Sequence, residues 1–96
     1  MKNTQKQGTI RVCGIVQGVG FRPFVYAKAQ ELAIDGSVQN LGSEVLIHAR
    51  GARFDDFVAS LRQGPPLARI DAVAVTALME PVRPGFVILK SSEGAL

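Results

Sequence analysis

Two short segments, each carrying one apolar stripe, constrain the fold more than any other feature of the chain. From Phe54 to about Gln63, the residues Phe54, Phe57, Val58 and Leu61 fall at i, i+3, i+4 and i+7, the spacing of one helix face. Asp55 and Asp56 stand in its first turn and Arg62 in its last, as the helix dipole prefers. The run "GPP" at 64–66 ends it. Earlier in the chain, "PFVYAKAQELAI" from Pro23 places Val25, Ala29 and Leu32 at i, i+4 and i+7, with Lys28 and Glu31 turned away. Pro23 suits a first helical position, where its missing N–H costs nothing, and Asp35-Gly36 marks the stop. A helix with one apolar face must bury it, and two such helices are served by one face of a sheet.

The strands for that sheet are legible around the helices. "TIRVCGIV" from Thr9 to Val16 mixes β-branched residues with alternation. "SVQNL" and "EVLIHAR" flank Leu41-Gly42-Ser43-Glu44 and read as a hairpin. "RIDAVAVTALM" is a fourth strand, and "GFVILK" after Pro84-Gly85 a short fifth. The order β-α-β-β-α-β plus a terminal strand predicts an α+β, ferredoxin-like two-layer sandwich with a mixed, mostly antiparallel sheet. That architecture hosts many unrelated activities, so function must be read from a site.

A chain of 96 residues is one domain, able to bury roughly 60–65% of its unfolded surface. The expected domain covers 9–91, between a flexible tail at 1–8 and a tail at 92–96 that leads toward further domains. No apolar run approaches the roughly 20 residues of a membrane span, and "MKNTQKQG" lacks the apolar centre of a signal peptide. Cys13 and His48, the one cysteine and the one histidine, cannot build a zinc site, and no disulfide can form within the chain. A cytoplasmic, reducing setting fits, with Cys13 a structural residue. The net charge is +3, with basic residues scattered among acids. This leaves no basic arm for nucleic acid, though the field favours a small anion.

The chemistry concentrates in "GIVQGVGFRPFVY", Gly14 to Tyr26. A strand, a glycine-rich turn and a helix start are the layout of an anion cradle. Gly18 and Gly20 admit positive φ and leave backbone N–H groups unobstructed. Such groups converge into a nest, and the helix N-terminus adds free donors and partial positive charge. Arg22 is a cation at the wrong end of that dipole, which costs about 0.3–1 kcal/mol. An anion held by its guanidinium fork accounts for it; a surface arginine beside a tight turn is the alternative. Asn40 is out of place in a strand. It reads either as a residue flanking the hairpin turn or as an amide that orients a water near the cradle. His48 stands alone in its strand and is read as facing solvent or a neighbour. A cradle with an amide beside it and no acid–base pair suits phosphoryl transfer by positioning and electrostatics, from a substrate with a good leaving group such as an acyl phosphate.

"GIVQGVGFR" followed by "NLGSEV", with "GPPLARIDAV" and "GFVIL" in order, resembles the acylphosphatase family from about Ile10 to Lys90. The forms "VQGVGFRPFVY" and "PPLARID" and the "SSEG" ending are more particular. They resemble the N-terminal acylphosphatase-like domain of the HypF family, the carbamoyltransferases of nickel–iron hydrogenase maturation. The resemblance implies a hydrolase domain acting on carbamoyl phosphate or similar acyl phosphates, with no metal or other cofactor. It makes Arg22 the phosphate-binding arginine and Asn40 the water-positioning asparagine. Gln17, Gly18, Val19, Gly20 and Phe21 supply the rest of the phosphate cradle. The implied partners are the substrate, phosphate, the downstream domains of a longer protein and hydrogenase maturation factors, with no nucleic acid and no membrane.

Two positions depart from the family pattern. Ser37 stands where an aromatic residue is common, which predicts looser packing beside Asn40. Gly42-Ser43 replaces an Asp-Gly type of turn. A stand-alone acylphosphatase and a non-catalytic phosphate-binding or docking module are the rival functions. An RNA-binding domain of the same architecture lacks the paired aromatics and the basic stripe it needs.

Overall fold

The structure is a computed structural model and describes residues 5–90. It contains β1 (Lys6–Ile15), α1 (Phe21–Glu31), β2 (Asp35–Asn40), β3 (Glu44–Gly51), α2 (Phe54–Gln63), β4 (Arg69–Thr76) and β5 (Phe86–Ile88). The strands form one five-stranded sheet in the order β4-β1-β3-β2-β5. Only β5 runs parallel to its neighbour; the β1·β3, β1·β4 and β2·β3 pairs are antiparallel. The expected ferredoxin-like sandwich is therefore present.

Alternation along the strands sets one face of the sheet against the helices. Ile10 pairs with Ile47, and Ile47 with Val38, giving a row of three fully buried side chains. Phe57 and Leu61 of α2 and Phe21, Val25 and Ala29 of α1 lie over this face, all at most 1% exposed. Burial of an aliphatic or phenyl side chain of this size contributes about 1.5–3 kcal/mol relative to exposure. Phe86 of β5 reaches the same core and meets Phe57 edge-on at 6.2 Å between ring centroids.

Several boundaries differ from the expectation. Strand β1 begins at Lys6, not Thr9, so residues 6–8 are strand rather than tail. "KQG" has no β propensity, but it completes the ladder opposite Ala49, Arg50 and Gly51. Gln7 Nε2 also donates to the Leu78 and Glu80 carbonyls. Those bonds draw the chain off the edge after Thr76, so β4 ends before Met79. Strand β5 is shorter than "GFVILK", although the Leu89 N–H still donates to the Val38 carbonyl at 2.8 Å.

Helix α1 starts at Phe21, so Pro23 is its third residue and not its first. The proline is tolerated because the third N–H of a helix has no intrahelical partner either. The helix stops at Glu31, before Ile34, because Ala33 turns left-handed at φ 55°. The Ile34 N–H reaches the Ala29 carbonyl at 2.8 Å and the Ala33 N–H reaches Gln30 at 3.4 Å, the bonding pattern of a Schellman stop. Residues 1–4 and the tail expected at 92–96 lie outside the described residues.

Candidate functional site

The turn between β1 and α1 is tethered by its apolar members. Val16 is 3% exposed and Phe21 1%, and Val19 packs against the core from the turn itself. Gln17, Gly18 and Gly20 face outward. Gly18 has φ 70° and Gly20 φ 79°, while Val19 between them keeps negative φ. Alternating positive and negative φ is the pattern from which successive N–H groups can converge into an anion nest. A Cβ on either glycine would meet nothing within 4 Å, so both are required by backbone conformation and open space lies in front of them. Gly20 is also the N-cap of α1, with no side-chain cap bond. The first intrahelical bond is Phe24 N–H to the Gly20 carbonyl at 3.1 Å. The earlier amides of the helix therefore point out of its end toward the turn.

Asn40 reaches this turn through the sheet. Val12 pairs with Val45 and Val45 with Asn40, so the three form the next row beyond Ile10–Ile47–Val38. Strand alternation puts Asn40 on the same face as Val38, under α1, where it is 5% exposed. It is the one polar residue among the buried set of the described chain. With its carboxamide oriented to satisfy its neighbours, the oxygen accepts from Arg22 Nε at 3.1 Å and Nη2 at 3.2 Å. Gln17 Oε1 lies 2.8 Å from the same carboxamide. Gln17 Nε2 donates to the Gly42 carbonyl in the β2–β3 turn. Thus Arg22, half-buried in the first turn of α1, lies against Asn40 at the end of β2.

The structure therefore brings Gln17, Gly18, Val19, Gly20, Phe21, Arg22 and Asn40 to one end of the sheet. Their parts differ: Phe21 gives its ring to the core, and the side chain of Gln17 turns to Asn40 and Gly42 rather than into the nest. Gly42, with φ 81°, was not singled out in the sequence as part of the site. Its place in a tight hairpin beside Asn40 was the available signal. Ser37 does not loosen the packing of Asn40, because it lies on the opposite face of β2, paired with His48. His48 is half-buried on that face. It helps line a hollow of about 390 Å³ with Ser37, Val82 and Val87, and neither Arg22 nor Asn40 belongs to it. Cys13 is half-buried and its Sγ lies 3.8 Å from Glu44 Oε1. At the start of β4, Arg69 Nε donates to Asp71 Oδ1 at 2.9 Å, and that bond with the carboxylate charge holds the guanidinium above its ordinary pKa. Among the described residues no group of three or more His, Cys, Asp or Glu side chains could hold a metal ion. Among the same residues no helix is long and apolar enough to cross a membrane.

The family model for acylphosphatase matches residues 8–88, which takes in every element from the cradle to β5. The chain belongs to the acylphosphatase family. An acylphosphatase from Coxiella burnetii superposes with a TM-score of 0.84 at 32% identity, over 88% of this chain and 93% of that one. Full-length HypF in its phosphate- and nucleotide-bound form superposes with a TM-score of 0.83 at 30% identity, over 98% of this chain and 13% of that one. In sequence, the carbamoyltransferase HypF of Rhodobacter capsulatus is 56% identical over 69 residues, 71% of this chain and 9% of its own length. The chain spans only about a tenth of the length of the carbamoyltransferases it matches. Acylphosphatases are hydrolases, and the chain is homologous both to the stand-alone enzymes and to the N-terminal part of HypF.

Proposed function

We propose that this chain hydrolyses carbamoyl phosphate or similar acyl phosphates at the β1–α1 turn, as the N-terminal domain of a cytoplasmic hydrogenase-maturation carbamoyltransferase. The observation that carries this is the Arg22 guanidinium set against the buried Asn40 amide at 3.1 and 3.2 Å, beside the Gly18–Gly20 nest. The nest amides and Arg22 hold the phosphoryl oxygens, and their fixed positive potential stabilises charge that gathers there in the transition state. Asn40 orients a water in line with the acyl oxygen. A bond forms between the water oxygen and phosphorus while the bond from phosphorus to the acyl oxygen breaks. The carboxylate or carbamate leaves with the electron pair, and the proton of the water passes to a phosphoryl oxygen. The leaving group needs no protonation, which agrees with a site that offers no general acid. Arg22 and Asn40 are the catalytic residues in this reading, and Gln17 to Phe21 form the turn that binds phosphate.

Release of inorganic phosphate from carbamoyl and acetyl phosphate tests this directly. Wild type exceeds Arg22→Ala and Asn40→Ala by at least about 10²-fold in turnover. Equal rates for all three contradict the reading. Phosphate binding at the turn with no turnover would make the chain a binding or docking module. The match to the Coxiella burnetii enzyme, over 93% of that chain, favours one other reading, a stand-alone acylphosphatase. The length of the reading frame separates the two.

A further inference from the structure

We infer that Gln17 is a positioning residue that fixes which way round the Asn40 carboxamide sits, rather than a ligand of the phosphoryl group. The two ends of a carboxamide differ: the oxygen only accepts and the nitrogen only donates. The Gly42 carbonyl also only accepts, so it must be met by Gln17 Nε2. That leaves Gln17 Oε1 turned toward Asn40 at 2.8 Å, where it demands an N–H. Arg22 meets the other end with N–H groups at 3.1 and 3.2 Å and demands an oxygen. Asn40 is 5% exposed, so water has little access to compensate a reversed amide. Reversal would set oxygen against oxygen at Gln17 and N–H against N–H at Arg22, and a buried polar group left without a partner is costly.

The orientation thus runs along a chain of contacts. It starts at the backbone of the β2–β3 turn, passes through Gln17 to Asn40, and ends on Arg22. Gln17 also ties the cradle to that turn, so the anion site and the water-orienting amide keep one spacing. The catalytic consequence rests on the acylphosphatase reading above; the effect on Asn40 itself does not. Gln17 faces outward, so its substitution leaves the core intact.

The test is Gln17→Met, similar in length but without the two hydrogen bonds, read in two ways. In steady-state hydrolysis of acetyl phosphate, kcat falls about tenfold, the scale expected when a reacting group is misplaced. KM and the Kd for inorganic phosphate stay within about twofold of wild type. In proton–nitrogen NMR spectra the Asn40 side-chain NH₂ pair, identified by its loss in Asn40→Val, shifts and exchanges faster with water. Gln17→Glu keeps an acceptor facing Asn40 and returns that pair toward its wild-type position. A severalfold rise in KM and phosphate Kd with kcat unchanged would make Gln17 a phosphate ligand and overturn the inference. An Asn40 pair unmoved in Gln17→Met overturns it as well. If wild type itself leaves acetyl phosphate intact, the proposed activity fails, and the NMR comparison alone decides the role of Gln17.

Discussion

Asn40 ends a row across the sheet that Val12 and Val45 begin, and its amide meets Arg22 from the first turn of α1 at 3.1 Å. Two residues that are each anomalous alone become one arrangement. A polar side chain in a core row is satisfied by an arginine, and an arginine at the positive end of a helix dipole is held by an amide. In the proposed function, a phosphoryl group in the turn beside them and a water on Asn40 complete the site.

Replacement of Arg22 by lysine tests the fork rather than the charge. Lysine keeps one positive charge but has no planar pair of donors to engage Asn40 and a phosphoryl oxygen together. Arg22→Lys lowers turnover of acetyl phosphate by about 10²-fold and weakens phosphate binding. Rates within twofold of wild type would show that charge alone suffices.

Asn40→Val continues the apolar row. The variant places a hydrocarbon beside Val45 but takes a partner from Arg22 and Gln17, so unfolding free energy in urea falls by about 1–3 kcal/mol. Hydrolysis falls by at least about 10²-fold, while inorganic phosphate still binds within about threefold. A larger loss of stability would mean that Asn40 is chiefly a structural amide.

Gly14 sits at the register shift between β1 and β4, with φ 140°. A Cβ there would stand 2.0 Å from the Arg69 carbonyl oxygen, which is backbone and cannot move aside. Gly14→Ala destabilises by about 3 kcal/mol or more, because the bulge that ends β1 must open. Denaturant unfolding measures the loss.

Ala33 carries the left-handed residue of the α1 stop at φ 55°, a conformation that a Cβ disfavours by about 1–2 kcal/mol. Ala33→Gly relieves that strain but frees the unfolded chain, so the net gain is about 0.5–1 kcal/mol. For a domain of this size the thermal midpoint rises by roughly 2–8 °C. A fall in midpoint would place the strain elsewhere.

Periodicity made both helices, the hairpin and the sheet class legible, since Phe54, Phe57, Val58 and Leu61 can serve only one face. The same reasoning could have placed Asn40 inward, because it alternates with Val38. Boundaries were hidden where tertiary contacts overrule local preference. Lys6 to Gly8 have no strand signature and are held by the ladder to β3. Ala33 stops a helix although it is a strong helix former. The pairing of β5 beside β2 has no local signal, as it depends on Phe86 finding the core beside Phe57. At the site, the glycine spacing and Arg22 marked the turn at which the structure sets Arg22 against Asn40. The clamp from Gly42 through Gln17 to Asn40 links three segments of the chain and carries no motif of its own.

The most direct measurement is a crystal structure of this chain soaked in phosphate. The account predicts an anion within hydrogen-bonding distance of the Gly18, Val19, Gly20 and Phe21 amides and of the Arg22 guanidinium, with Asn40 facing it. An anion bound elsewhere, with the turn closed over the nest, would contradict it.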